Sequence, residues 1–167
     1  MTKASHLHRR CLLMRAGAAV MALSCASGWT RAQPAPTFVF ICEHGYAKSL
    51  VAALHFERLA QARGLAVCAL ARGLDPGARV PDAIEAGLRA DGFDVSGFAP
   101  SRAALQEIND ADVIVLIGVE ADLSARSGPV VRWDAIPPLS ENYDRARGEI
   151  VRLANALLER IGSGELP

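Results

Sequence analysis

The run Phe38-Val39-Phe40-Ile41-Cys42-Glu43-His44-Gly45-Tyr46-Ala47-Lys48-Ser49 constrains this chain more than any other segment. Its first part is continuously apolar, the pattern of a strand buried on both faces. The strand ends in Cys42. Lys48 and Ser49 follow, and then apolar residues recur at helical spacing (Leu50, Val51, Leu54, Leu59) until Gly64. A strand–loop–helix of this kind sets a thiol in a loop whose amides can converge on an anion, at the positive end of a helix. Those surroundings favour the thiolate, which is the nucleophilic form. A cysteine facing a bound oxyanion points to phosphoryl or arsenate chemistry.

The rest of the chain repeats the alternation. Strands are expected over Thr37–Cys42, Leu65–Ala71, Val113–Ile117 and Val130–Trp133. Helices are expected over Ser49–Ala62, Pro81–Ala90 and Tyr143–Arg160. Ser101 can cap a short helix running to about Ile108. Gly73 to Gly77 is a turn cluster, Phe93 to Phe98 an irregular link, Gly118 to Ala125 a loop or short helix, and Asp134 to Asn142 a proline-bearing loop. Strands alternating with helices predict a parallel sheet with crossover helices, an α/β three-layer sandwich of four strands.

The 167 residues are 51% hydrophobic, enough for one domain with a real core. A formal net charge of zero hides an asymmetry, because residues 1–32 hold five basic side chains and no acid. That leaves 13 basic against 18 acidic residues beyond them, a net of −5, which is not the balance of a nucleic-acid binder. Residues 1–32 read as an export signal. Arg9 and Arg10 precede an apolar stretch from Ala16 to Ala26, and Ala32 offers a small residue before a Gln33–Pro36 linker. The paired arginines admit a twin-arginine route as well as the general secretory one. The apolar run is shorter than the roughly 18–20 residues that a span needs, so the mature form is expected to keep no membrane span and to reside in the periplasm. Residues 33–167 then form the domain, with Cys42 and Cys68 as its cysteines. Cys68 is expected to be a small buried residue of the second strand. No cysteine–histidine cluster has zinc spacing, and no metal or cofactor is expected.

The strand, the Cys-x5-basic-Ser loop, the helix and the late tryptophan loop together resemble the low-molecular-weight protein tyrosine phosphatases, which share a fold with the thioredoxin-coupled arsenate reductases. Arg72 to Asp82 and Gly87 to Gly97 extend the likeness through the second strand, the helix after it and the Gly-x-Asp-x-Ser link. The resemblance implies that Cys42 attacks phosphorus to form a thiophosphate ester. It also implies that Ser49 steadies the thiolate and that the loop Glu43, His44, Gly45, Tyr46 and Ala47 binds the oxyanion. Three positions depart from it. Lys48 stands where the family has arginine, Gly45 where it has asparagine, and Pro137 where its general-acid aspartate would fall.

An ammonium is a mobile point charge, while a guanidinium grips two oxygens at fixed geometry, so Lys48 should stabilise the transition state less. Asp134 is the nearest carboxylate that could supply the missing proton, with Glu141 and Asp144 further along. Arg72, at the end of the second strand, is a further candidate for substrate contact. Trp133 is expected to pack rather than to stack on substrate. The expected partner is a phosphate-bearing substrate. Arsenate is the alternative, but Gly118 to Asp122 lacks the cysteines that would resolve an arsenic adduct, so an external thiol would be needed. A protein that binds oxyanions without turnover is the third possibility.

Overall fold

The computed structural model describes residues 2–3, 34–124 and 126–165. The expected export signal lies outside the described residues, save for Thr2–Lys3, which pairs in parallel with Phe93–Asp94. In the domain, β1 (Thr37–Cys42) is followed by α1 (Lys48–Ala62), β2 (Cys68–Gly73), α2 (Asp82–Ala90), α3 (Leu105–Asp110), β3 (Val113–Leu116), β4 (Val130–Arg132) and α4 (Tyr143–Gly162).

The four strands form one parallel sheet in the order β2-β1-β3-β4. β1 is flanked on both sides, by β2 from Thr37 to Cys42 and by β3 from Phe38 to Ile41. Its continuous apolar run follows from that position, since residues of both parities are buried. Phe38 and Phe40 point to one face, where α1, α2 and α4 supply Leu50, Leu54, Phe56, Ile84, Leu88, Ile150 and Leu158. Val39 and Ile41 point to the other, where Leu70, Ile114 and Leu116 are met by Ile108 of α3 and by Val119. The first face is anchored by aromatic rings: Phe56 lies 4.7 Å from Phe38 and 5.3 Å from Phe40, and Phe40 lies 5.6 Å from Trp133. Contacts at these separations add to what burial alone contributes.

Two elements start later than the sequence pattern suggests. β2 begins at Cys68 rather than Leu65, because its ladder opens where the Cys68 amide meets the Pro36 carbonyl at 2.9 Å, level with the start of β1. The helix expected from Ser101 begins at Leu105. Residues 101–103 are instead drawn onto the end of β2, where the Gly73 amide donates to the Ser101 carbonyl (3.0 Å) and the Ala103 amide to the Gly73 carbonyl (3.1 Å). Ser101 therefore caps no helix. Pro81 sits just before α2 in extended conformation, a place where its missing N–H costs nothing. Residues 118–124 after β3 form no helix.

Cys68 is buried, as expected, but it is disulfide-bonded, whereas Cys42 carries a free thiol. The two strand cysteines are thus not joined to each other. Among the described residues no helix is long and apolar enough to cross a membrane.

The strand order places a reversal at β1, whose chain neighbour β2 lies on one side and β3 on the other. In open parallel sheets the crevice beyond the carboxyl ends at such a reversal is where ligands bind. Cys42 is the last residue of β1 and stands at that crevice.

Candidate active site

The loop between β1 and α1 is fixed by the end of β2. The Cys42, Glu43 and His44 carbonyls accept hydrogen bonds from the amides of Leu74 (3.1 Å), Asp75 (2.9 Å) and Gly77 (3.1 Å). The loop then crosses Gly73 in backbone-to-backbone contact. A Cβ at Gly45 would stand 2.8 Å from the Gly73 nitrogen, and one at Gly73 would stand 2.8 Å from the Gly45 nitrogen. Gly45 also has φ of +73°, which L side chains adopt at a cost. Glycine at 45, where the resemblance implied asparagine, is thus required twice over, by the turn and by the crossing.

α1 starts at the far end of this loop with no side chain capping its first amides. Unpaired amides at a helix start are natural anion donors. Cys42 lies beside them and is 5% exposed, at the floor of a cavity of about 300 Å³. Its Sγ is 3.1 Å from the Oγ of the fully buried Ser49. A hydroxyl at that distance can donate to a thiolate and steady it both as nucleophile and as leaving group.

The cavity is lined by Cys42, Glu43, His44, Tyr46, Ala47 and Lys48 from the loop. Its remaining walls are mostly apolar: Pro81, Ala83 and Ile84 from α2 and its approach, Ile117 to Val119 after β3, and Pro138 to Ser140 from the late loop. These walls were missed by motif reading. They are the residues immediately beyond the carboxyl ends of the strands, so the topology was the signal that would have found them. Tyr46 packs its ring over Gly77, where a Cβ would come within 2.4 Å of it, and stacks on His44 with centroids 5.4 Å apart.

Lys48 reaches the cavity wall, but its ammonium is engaged there. Nζ donates to the Ile136 carbonyl at 2.7 Å, which ties the start of α1 to the late loop. Asp134 does not line the cavity. It points to solvent and pairs with Arg132 at 3.4 Å, while Arg132 also pairs with Glu120. The late loop is pinned by the buried Trp133, Ile136 and Leu139, and Asp134 falls between these anchors on the outer side. Glu141 is exposed and Asp144 pairs with Arg147 at 2.8 Å; neither lines the cavity. Arg72 is buried within the fold and forks onto Glu107, with Nε to Oε2 at 2.8 Å, so it braces β2 against α3 rather than facing the crevice. Trp133 packs on Phe40, as expected.

A second polar cluster lies away from the cavity, where α1, the end of α2 and α4 meet. Asp91 accepts from the Tyr143 hydroxyl at 2.7 Å and pairs with His55 at 3.2 Å and Arg147 at 3.5 Å. Arg58 donates to the Asp91 carbonyl (2.6 Å), faces His55 Nδ1 (3.0 Å) and stacks over Phe93. Since a guanidinium only donates, His55 Nδ1 must accept, and its ring hydrogen sits on Nε2 toward Asp91. Burial, reinforced by Arg58, lowers the His55 pKa, while Asp91 opposes this. Burial and the Asp91 hydrogen bond raise that of Tyr143. Both groups are held neutral, and the cluster fastens α4 to the rest of the domain. Among the described residues no group of histidine, cysteine and carboxylate side chains is placed to hold a metal ion.

With this geometry in view, comparison with known proteins is decisive for the family. The family model for low molecular weight phosphotyrosine protein phosphatases matches residues 37–150, from the start of β1 into α4. The chain belongs to that family. Solved structures agree in fold. YfkJ from Bacillus subtilis superposes with a TM-score of 0.68 at 18% identity, covering 81% of this chain and 99% of that one. An arsenate reductase from Archaeoglobus fulgidus gives 0.61 at 23% identity, covering 73% and 98%. A low molecular weight protein tyrosine phosphatase from T. tengcongensis gives 0.63 at 16% identity, covering 75% and 99%. No curated protein sequence matches the chain. The fold is therefore one that low molecular weight protein tyrosine phosphatases and arsenate reductases share.

Proposed function

We propose that this family member hydrolyses phosphomonoesters by way of a Cys42 thiophosphate ester. The observation that carries the reading is the pairing of Cys42 Sγ with Ser49 Oγ at 3.1 Å, on the floor of an open cavity and beside the uncapped start of α1. The tetrahedral anion would take its hydrogen bonds from the loop and helix amides. The sulfur attacks phosphorus, the ester oxygen leaves, and water then displaces the thiolate to release phosphate. The apolar walls suit an aryl or otherwise apolar leaving group, with phosphotyrosine the substrate that the family suggests. Turnover of p-nitrophenyl phosphate that is blocked by vanadate and abolished by Cys42→Ser supports this reading; turnover unaffected by Cys42→Ser overturns it. Export to the periplasm through the leader belongs to the same proposal, and fractionation of the full chain tests it.

Two observations favour a second reading, an oxyanion binder without turnover. Lys48 is tied to the Ile136 carbonyl and Asp134 faces away, so the charge clamp and the acid of the family pattern are both unfilled. Calorimetric binding of phosphate or arsenate with no turnover of any ester would select it. Arsenate reduction has less support, because among the described residues Cys42 is the only cysteine lining the cavity, and no second thiol there could resolve an arsenic adduct.

A further inference from the structure

We infer that His44 is the general acid and base of this site, taking the place of the aspartate that the late loop does not provide. The inference rests on the hydrolase reading above and adds to it. A phosphatase of this type must protonate the leaving oxygen, and later take a proton from the attacking water. Besides Cys42, the ionisable side chains lining the cavity among the described residues are Glu43, His44, Tyr46 and Lys48. Lys48 is tied to the Ile136 carbonyl, and the Tyr46 ring is spent as a wall against Gly77 and His44. Glu43 and His44 are both exposed, but among the described residues no hydrogen bond or ion pair orients the Glu43 carboxylate.

His44 is oriented from two sides. Its Nδ1 lies 3.1 Å from the Asp75 carbonyl, and its ring stacks on Tyr46 at an interplanar angle of 17°. A carbonyl only accepts, so the ring hydrogen is on Nδ1 and Nε2 is left as the exchanging nitrogen. That nitrogen has no protein partner among the described residues. A backbone carbonyl that fixes the tautomer while the other nitrogen stays free is how imidazoles are prepared for proton transfer. The Asp75 carboxylate does not bear on the ring hydrogen, since it faces Arg102 at 3.8 Å.

The steps balance. Cys42 sulfur forms the S–P bond as the P–O ester bond breaks, and imidazolium Nε2–H gives its proton to the departing alcohol or phenol. In the second half, neutral Nε2 takes a proton from water as the water oxygen bonds phosphorus. The S–P bond breaks, and thiolate, phosphate and imidazolium are restored. No redox partner is required.

Leaving-group dependence tests this. For wild type, Cys42→Ser, His44→Gln and Glu43→Gln, kcat/KM is measured across aryl phosphates from p-nitrophenyl to unsubstituted phenyl, with thermal melts recorded alongside. His44→Gln should lose less on p-nitrophenyl phosphate than on phenyl phosphate, because the p-nitrophenolate leaves without help. It should lose about 10²–10⁴-fold on phenyl phosphate, with an unchanged melt. Equal losses on both substrates, no loss on either, or the selective loss appearing in Glu43→Gln would each overturn the assignment to His44 while leaving a Cys42-dependent hydrolase standing. Hydrolysis absent in wild type, or indifferent to Cys42→Ser, would remove the hydrolase reading and this inference with it. Should His44→Gln melt early, His44→Asn, which can keep a donor near the Asp75 carbonyl, must show the same selective loss.

Discussion

Substituting alanine for Gly73 puts the loop architecture to a quantitative test. Gly73 is the last residue of β2, and no positive φ protects it from a side chain. What protects it is space. A Cβ there would meet the Gly45 nitrogen at 2.8 Å, the His44 carbonyl carbon at 2.8 Å and the Glu43 oxygen at 3.0 Å. All three are backbone atoms of the nucleophile loop, so no side chain can swing aside. Relief to ordinary contact needs a displacement of roughly 0.5–1 Å, and overpacking of this sort costs about 1–3 kcal/mol. Because those atoms carry the amides that would hold the anion, the loop's register with Cys42 changes too. Misplacement by about 1 Å can cost on the order of 10²-fold in rate. The assay pairs urea unfolding with kcat/KM for p-nitrophenyl phosphate and the affinity for vanadate. Gly73→Ala should lose stability and lose turnover and vanadate affinity far beyond it. The matched control is Gly148→Ala in α4, where an added Cβ meets nothing within 4 Å. It should gain about 0.5–1 kcal/mol and leave the site untouched. Gly73→Ala with unaltered turnover and vanadate binding would refute the close crossing as the support of the loop.

Other outcomes follow from the packing and the buried cluster. Phe56→Ala, which removes the ring between Phe38 and Phe40, should destabilise the domain by about 3–5 kcal/mol in denaturant titration. His55 is held neutral by burial, with a pKa below its ordinary 6.5, so the unfolded chain binds more protons than the fold below that pH. Stability should therefore fall as pH drops below about 6.5, and the fall should shrink in His55→Gln; a flat profile between pH 7.5 and 5 that His55→Gln leaves unchanged would contradict this. Tyr143→Phe removes one of the donors to Asp91 and should cost about 1 kcal/mol by urea midpoint, with no effect on kcat. Arg72→Ala strips the buried fork from Glu107 and should lower stability by the lower end of about 3–5 kcal/mol, Glu107 being partly exposed.

β1 was legible because a central parallel strand must be apolar on both faces, and Thr37–Cys42 is the range expected. The α1 and α4 spans were legible from their apolar spacing, the first within a residue and the second within two. The start of β2 was not, because Leu65, Ala66 and Val67 are as apolar as the ladder that follows them, and only pairing with Thr37 sets where it opens. Nor was α3, since Ser101 looks like a cap in isolation; its carbonyl is taken by Gly73, an interaction across 28 positions that no local pattern records. At the site, Cys42, Glu43, His44, Tyr46, Ala47 and Lys48 of the motif line one cavity, with the buried Ser49 paired to Cys42. Asp134 is a candidate acid in the sequence only because it lies three residues from Pro137. The buried neighbours Trp133 and Ile136 turn it outward, which a linear spacing cannot show. The tie from Lys48 to the Ile136 carbonyl was equally invisible, being a contact to backbone.

Trapping the covalent intermediate bears most directly on the whole account. Wild-type protein turning over p-nitrophenyl phosphate is quenched within the first turnover, digested, and its peptides weighed. The peptide bearing Cys42 should carry a phosphoryl group on its sulfur, absent when vanadate is added first. Steady release of phosphate with that peptide never modified would contradict it.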